Sequence, residues 1–188
     1  MDSLIIAKPA AGTYPDYYDN YLIQVEADKP FAEVMANAIQ DSLNFWNEVK
    51  EGESTFRYAE GKWSIKEMLQ HIIDTERVFV YRAMSFMRGE QSQLPGFDHN
   101  EYVVQSMADK RTWGSLLQEY QSLKQSSFDF FTNLNEEQWQ ASGLTGAGAM
   151  SVSALAYVVC GHDLHHQNIV KVRYLNELRK GWQVSPFS

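Results

Sequence analysis

Three of the chain's five histidines fall within five residues, in the run Gly161-His162-Asp163-Leu164-His165-His166. Imidazole is a good ligand for late divalent metals and titrates near neutral pH. The surrounding segment reads as a helix, on which successive residues turn about 100°. Relative to His162, Leu155 then lies at about 20°, Val159 at about 60°, His166 at about 40° and Ile169 at about −20°. His162 and His166 therefore share the apolar stripe, one turn apart, and can reach one cation from the same face. His165 lies about 100° from His166 at the edge of that stripe and is the weaker ligand candidate. Neutral imidazoles buried side by side each need a hydrogen-bond partner, and protonated ones repel. A shared metal answers both problems; the alternative is a pair at the edge of the core with water or backbone partners.

His71 lies in a second helical segment, about 60° from Met68 and about 100° from Ile72, so it borders an apolar stripe. From there it can look sideways into a bundle cavity. His71, His162 and His166 would form a three-nitrogen face with open positions for water or substrate, as in a catalytic more than a structural metal site. All-imidazole ligation selects weakly among late divalent ions, and Zn or Ni is the expected occupant. The run HDLHH also matches a variant of the zincin motif, but Asp163 is one methylene shorter than the usual Glu and no His follows His166. A peptidase is disfavoured, and Asp163 is expected on the helix surface or behind a ligand.

Arg82 falls about 20° from His71, three turns along the same helix. It can hold a substrate carboxylate at the cavity mouth or pair with Glu76 or Asp74. Asp74 can orient an imidazole or pair with Arg77 on the surface. Tyr81, Tyr157 and Trp63 are candidates for a pocket wall, with core packing the stronger expectation. Cys160, the single cysteine, has no disulfide partner in the chain and reads as a small buried hydrophobe, so thiol chemistry would need a thiol from outside.

Four long helices must position these groups. The apolar pattern places them from about Pro30 to Lys50, Ser64 to Arg88, Thr112 to Leu134, and Ser151 or Ser153 to Lys180. Asp28 is a plausible cap for the first, Ser64 with Glu67 forms a capping-box pattern for the second, and Asn135 with Gln138 suggests a short capped turn near Trp139. Residues 89–110 form a long connection, and the Gly-rich 142–150 is expected to be a plain flexible connector without the ending of a phosphate-binding loop. No strand alternation competes, so the expected fold is all-α. The connection of ~20 residues between the second and third helices is too long for a tight hairpin and favours up-down-down-up order. Tyr14 to Tyr21, with four tyrosines, is expected to pack onto the domain as one or two helical turns.

The chain has 188 residues, a length that fits a single domain spanning 1–188, with 1–29 as a lead-in segment. Hydrophobic residues make up 44% and charged ones 21%, which excludes disorder as the main state. The net charge of −8, with no basic block, argues against nucleic acid. The four apolar residues at 4–7 are too few for a signal peptide or a membrane span, so a cytoplasmic location is expected.

The segments W-S-I-K-E-M-L-Q-H-I-I-D-T-E-R around His71, L-P-G-F-D ending at Asp98, and G-H-D-L-H-H-Q-N-I-V-K around His162 together resemble the DinB/YfiT-like superfamily, over roughly Tyr14 to Trp182. The resemblance implies an up-down-down-up four-helix bundle, often a homodimer, with a metal triad that carries onto His71, His162 and His166. It also implies metal-dependent S-transfer from a low-molecular-weight thiol such as bacillithiol, mycothiol or glutathione; a mycothiol-dependent isomerase belongs to the same superfamily. One departure is His99, where the family pattern leads us to expect an acid or amide after Asp98; His99 is either a fourth ligand or solvent-exposed, the second being favoured. The leading expectation is thus a thiol S-transferase acting on a small molecule. A metal-dependent hydrolase, a non-catalytic metal-binding stress-response module and a metal-free structural bundle remain as alternatives.

Overall fold

The computed structural model describes residues 7–26 and 28–182; the apolar run considered as a leader lies mostly outside them. Two short helical pieces, Asp16–Tyr18 and α1 (Asp19–Leu22), precede α2 (Phe31–Glu48) and α3 (Ile65–Met87). Then come α4 (His99–Ser106), α5 (Trp113–Thr132), α6 (Glu136–Gln140), strands β1 (Ser142–Thr145) and β2 (Gly148–Ser151), and α7 (Val152–Ile169). A π-helical stretch, Val170–Leu175, joins α7 to α8 (Asn176–Trp182). Among the described residues no helix is long and apolar enough to cross a membrane.

Helix boundaries follow local chemistry. The Ser64 hydroxyl accepts from the Glu67 amide while the Glu67 carboxylate accepts from the Ser64 amide, so both capping-box bonds form; such caps are worth about 1 kcal/mol each. Asn135 and Gln138 form the second box, and Thr112 caps α5. Asp28 does not cap α2: Pro30 occupies that position, its own ring fixing the entry conformation, and no side chain caps the helix.

Side-chain pairs set the helix directions. Phe31 and Ser42 of α2 meet Tyr157 and Gln167 of α7 in the same order, so these helices are parallel. Phe31 and Trp46 meet Phe131 and Trp113, so α5 runs opposite to α2. Lys66 and Glu76 meet Arg111 and Lys124 in rising order, so α3 parallels α5. His71 meets His166, and Phe86 lies against Gly143 just before α7 begins, so α3 opposes α7. The order is up-down-down-up, and the long connection between α3 and α5 makes their parallel packing possible.

One expectation gains detail and another is corrected. The long connection contains α4, whose N-cap Asp98 accepts from the amides of Asn100 and Glu101. The Gly-rich segment is not a plain connector: β1 and β2 pair antiparallel from Ser142–Ser151 to Thr145–Gly148. Leu94 extends this hairpin by donating its amide to the Leu144 carbonyl at 2.9 Å. Gly146 at the turn sits so close to the Gly96 backbone that a Cβ would lie 2.8 Å from the Gly96 nitrogen.

Candidate metal centre

α3 and α7 bring His71, His162 and His166 together, all buried. The Nε2 atoms of His71 and His166 each lie 3.1 Å from Nε2 of His162. His165 stays outside, half-buried, with Nδ1 3.5 Å from the Gln24 amide nitrogen and its ring against Tyr21. His99 is not in the cluster either. It opens α4 and is half-buried, with its ring edge-on to His71 at 5.2 Å and a buried Nδ1 that has no partner.

The donor set fits a cation. Metal–imidazole bonds of about 2.0–2.1 Å at bond angles of about 90–109° place neighbouring nitrogens roughly 2.8–3.4 Å apart. As hydrogen bonds alone the arrangement is poor, because the single lone pair of His162 Nε2 cannot lie in line with two N–H donors. Burial, then the neighbouring imidazoles, push His71 down to about 2. Burial pushes His166 down to about 3, with His165 adding to the shift. His162 is driven well below the ordinary range by burial and by both partners. All three are therefore neutral at pH 7, with lone pairs free for coordination.

The histidines form the floor of a cavity of about 500 Å³. Its walls include Tyr17 and Tyr21, Trp63, Phe97 of the loop before α4, and Arg82. Gly161 makes one wall possible. A Cβ there would lie 2.0 Å from the Tyr21 carbonyl oxygen, so only glycine lets α1 cross α7 at this distance. The crossing sets the Tyr21 ring edge-on to His162 at 5.2 Å. The N-terminal tyrosines thus pack onto the domain as the sequence suggested. Trp63 reaches the cavity, Tyr157 is core, and Tyr81 is exposed.

Arg82 lines the cavity and pairs with neither Glu76 nor Asp74; its Nη2 donates to the Pro95 carbonyl at 2.8 Å. Asp74 accepts from Gln70 at 2.9 Å and lies 3.6 Å from Arg77, the surface arrangement. The group beside His71 Nδ1 is instead the Thr75 hydroxyl, at 3.4 Å.

Behind the histidines lies a polar network that the sequence did not reveal. Asp163 is buried, not on the surface, and accepts from the Tyr120 hydroxyl, from Lys124 at 2.7 Å and from Gln167 at 3.0 Å. Lys124 also meets Glu76 at 2.5 Å. Burial opposes the charge on Lys124, but Asp163 and Glu76 outweigh it and hold its pKa well above the usual range. Burial likewise opposes the Asp163 charge, and Lys124 overcomes it. Cys160 is buried and its thiol is pushed up to about 12, so it is no nucleophile at neutral pH.

A buried three-imidazole floor beneath an open cavity, in an up-down-down-up bundle, defines a class of helical-bundle proteins with a candidate metal centre. Within that class, the chain belongs to the DinB superfamily, whose sequence model matches residues 35–170. An Oceanobacillus iheyensis protein named "Putative metal-dependent hydrolase OB0413" is 23% identical over 145 residues, covering 77% of this chain and 82% of that one. Among solved structures, YfiT from Bacillus subtilis, described as a probable metal-dependent hydrolase with an unusual four-helix bundle topology, superposes with a TM-score of 0.62 at 12% identity. That match covers 95% of this chain and 94% of YfiT. A mycothiol-dependent maleylpyruvate isomerase superposes at 0.57 with 14% identity, over 84% of this chain and 60% of the isomerase. At these identities the structures share the fold with this chain.

Proposed function

We propose that this protein is a metal-dependent enzyme in which His71, His162 and His166 hold one divalent cation, Zn or Ni, and that its reaction is hydrolysis of a small molecule. The observation that carries the reading is the convergence of three neutral, buried imidazole nitrogens at 3.1 Å spacing on a cavity floor. A divalent ion held there would lower the pKa of a bound water or thiol towards neutrality.

The chain's own residues supply the rest. α3 and α7 fix the three imidazoles, with Thr75 beside His71. Tyr21, Phe79 and Trp63 surround them with apolar rings that restrict water around the floor. The curated relative and YfiT both carry hydrolase names, which favours water as nucleophile. Transfer from an external low-molecular-weight thiol is the second reading. It is favoured by the inert Cys160, by a cavity far larger than a water needs, and by the thiol-dependent isomerase of the same fold.

Metal analysis of tag-free protein tests the first step. Wild type should hold about one equivalent, and His71→Ala, His162→Ala and His166→Ala should each lose most of it. Full metal content in all three variants would remove the triad. A panel of esters, amides and electrophiles, with and without bacillithiol, mycothiol or glutathione, then separates the nucleophiles: turnover in water alone supports the hydrolase, and strict dependence on one thiol replaces it with the transferase.

A further inference from the structure

Arg82 stands out among the buried charges. It is 4% exposed, yet among the described residues no carboxylate lies within ion-pair distance of it. Lys124, equally buried, is held between two carboxylates. An unpaired buried cation is unfavourable unless something else answers its charge. The guanidinium of Arg82 hydrogen-bonds to a neutral group, the Pro95 carbonyl. Its Nε is buried without a partner. The same cavity wall holds His99, whose buried Nδ1 is also unpartnered. Two unsatisfied polar side chains from separate elements, α3 and α4, thus border one space.

From these observations we infer a second subsite in the cavity, in which Arg82 and His99 bind a carboxylate of the substrate. A guanidinium offers Nε and one Nη as a planar fork that matches a carboxylate. Nη2 keeps a hydrogen after serving Pro95, so the fork is available. One guanidinium balances a single negative charge, and its planar fork matches two carboxylate oxygens, which favours a carboxylate over a phosphate dianion. Eleven residues separate His71 from Arg82, or about 16 Å between Cα atoms, and the arginine side chain leans back towards the helix N-terminus. A carboxylate that also meets His99, whose ring lies 5.2 Å from that of His71, would sit within about 9 Å of the His71 ring. Between the two ends the walls are aromatic, with Tyr17, Phe97 and Trp63 among them. The substrate class is a small molecule with an apolar or aromatic body, a carboxylate at one end and the reacting group at the other. Only the position of that reacting group rests on the metal reading; the anion subsite does not.

The test compares 4-phenylbutyrate with its neutral isostere 4-phenylbutyramide by calorimetry, on metal-free and metal-loaded protein. Wild type should bind the carboxylate at least tenfold tighter in both forms. Arg82→Gln should bring the ratio to within twofold, and His99→Asn should reduce it severalfold. Should Arg82→Gln fail to fold, Arg82→Lys keeps the charge without the fork and should lower the ratio at least threefold. A wild-type ratio near one, undetectable carboxylate binding, or a ratio unchanged in the folded Arg82 variant would overturn the subsite. A carboxylate preference without metal uptake would leave the subsite standing and remove the metal reading. Metal uptake with no preference would do the reverse.

Discussion

Replacing Lys124 by Met probes the layer beneath the histidines. The ammonium is held at 2.5 Å from Glu76 and 2.7 Å from Asp163, with all three side chains at most 3% exposed. Methionine fills a similar volume but leaves two carboxylates buried with no cation between them. Breaking a buried ion pair from one side costs about 3–5 kcal/mol. For a chain of this length each kcal/mol moves the midpoint by about 2–4 °C, so Lys124→Met should lower Tm by roughly 6–20 °C. Urea unfolding should show the same loss as a shifted midpoint at an unchanged m value. Glu76→Gln should cost only about 1 kcal/mol, because Lys124 and Asp163 remain a matched pair. The double variant should lose less than the sum of the singles, the remaining Asp163 charge still accepting from Tyr120, Gln167 and Trp46. A loss below about 1 kcal/mol in Lys124→Met, or equal losses in Lys124→Met and Glu76→Gln, would refute the claim that this lysine balances the network.

Gly161→Ala should displace α1 from α7 and cost about 1–3 kcal/mol, with proteolysis newly admitted at residues 7–26. In metal-free protein the histidine shifts make stability acid-sensitive. It should be flat above about pH 6.5 and fall as pH drops towards the folded values of about 3 for His166 and about 2 for His71. The unfolded chain takes up the protons first, at up to about 1.4 kcal/mol per pH unit per histidine; a urea midpoint unchanged between pH 7 and 5 would contradict this. Cys160 should resist iodoacetamide at pH 8 in the native state and react once urea unfolds the chain, followed by mass spectrometry. Ser64→Ala removes a cap and a 2.6 Å bond to Asp109, and should cost about 1–2 kcal/mol in urea unfolding.

What the sequence could disclose depended on the range of the interaction. His162 and His166 were legible because helical periodicity alone puts them on one face, and the capping boxes at Ser64 and Asn135 are equally local. The long, Gly/Pro-containing connection implied the parallel pair of helices through its length. The hairpin was hidden because Ser142–Thr145 and Gly148–Ser151 carry no alternating apolar pattern; they are strands because Leu94 extends them and Phe86 packs against Gly143. Nothing near Lys124 in sequence announces that Glu76 and Asp163, on two other helices, converge on it. α4 had a readable signal in Asp98 with Glu101, which the Gly and Pro residues before it obscured. The Arg82 pairing was open to both readings, and only the packed structure shows that neither acid reaches it.

The π-helical stretch at Val170–Leu175 has a bearing on how such chains vary in length. A π turn closes its hydrogen bonds one residue later than an α turn, so it absorbs a residue without ending the helix. It begins four residues after His166, past the last ligand candidate, while Val170, Tyr174 and Leu175 remain buried beyond it. Removing one residue within this stretch would let α7 continue as regular helix and leave the spacing of His162 and His166 untouched. The same deletion between His162 and His166 would rotate one imidazole by about 100° relative to the other. Relatives should therefore accept single-residue gains and losses at 170–175 and resist them between His162 and His166.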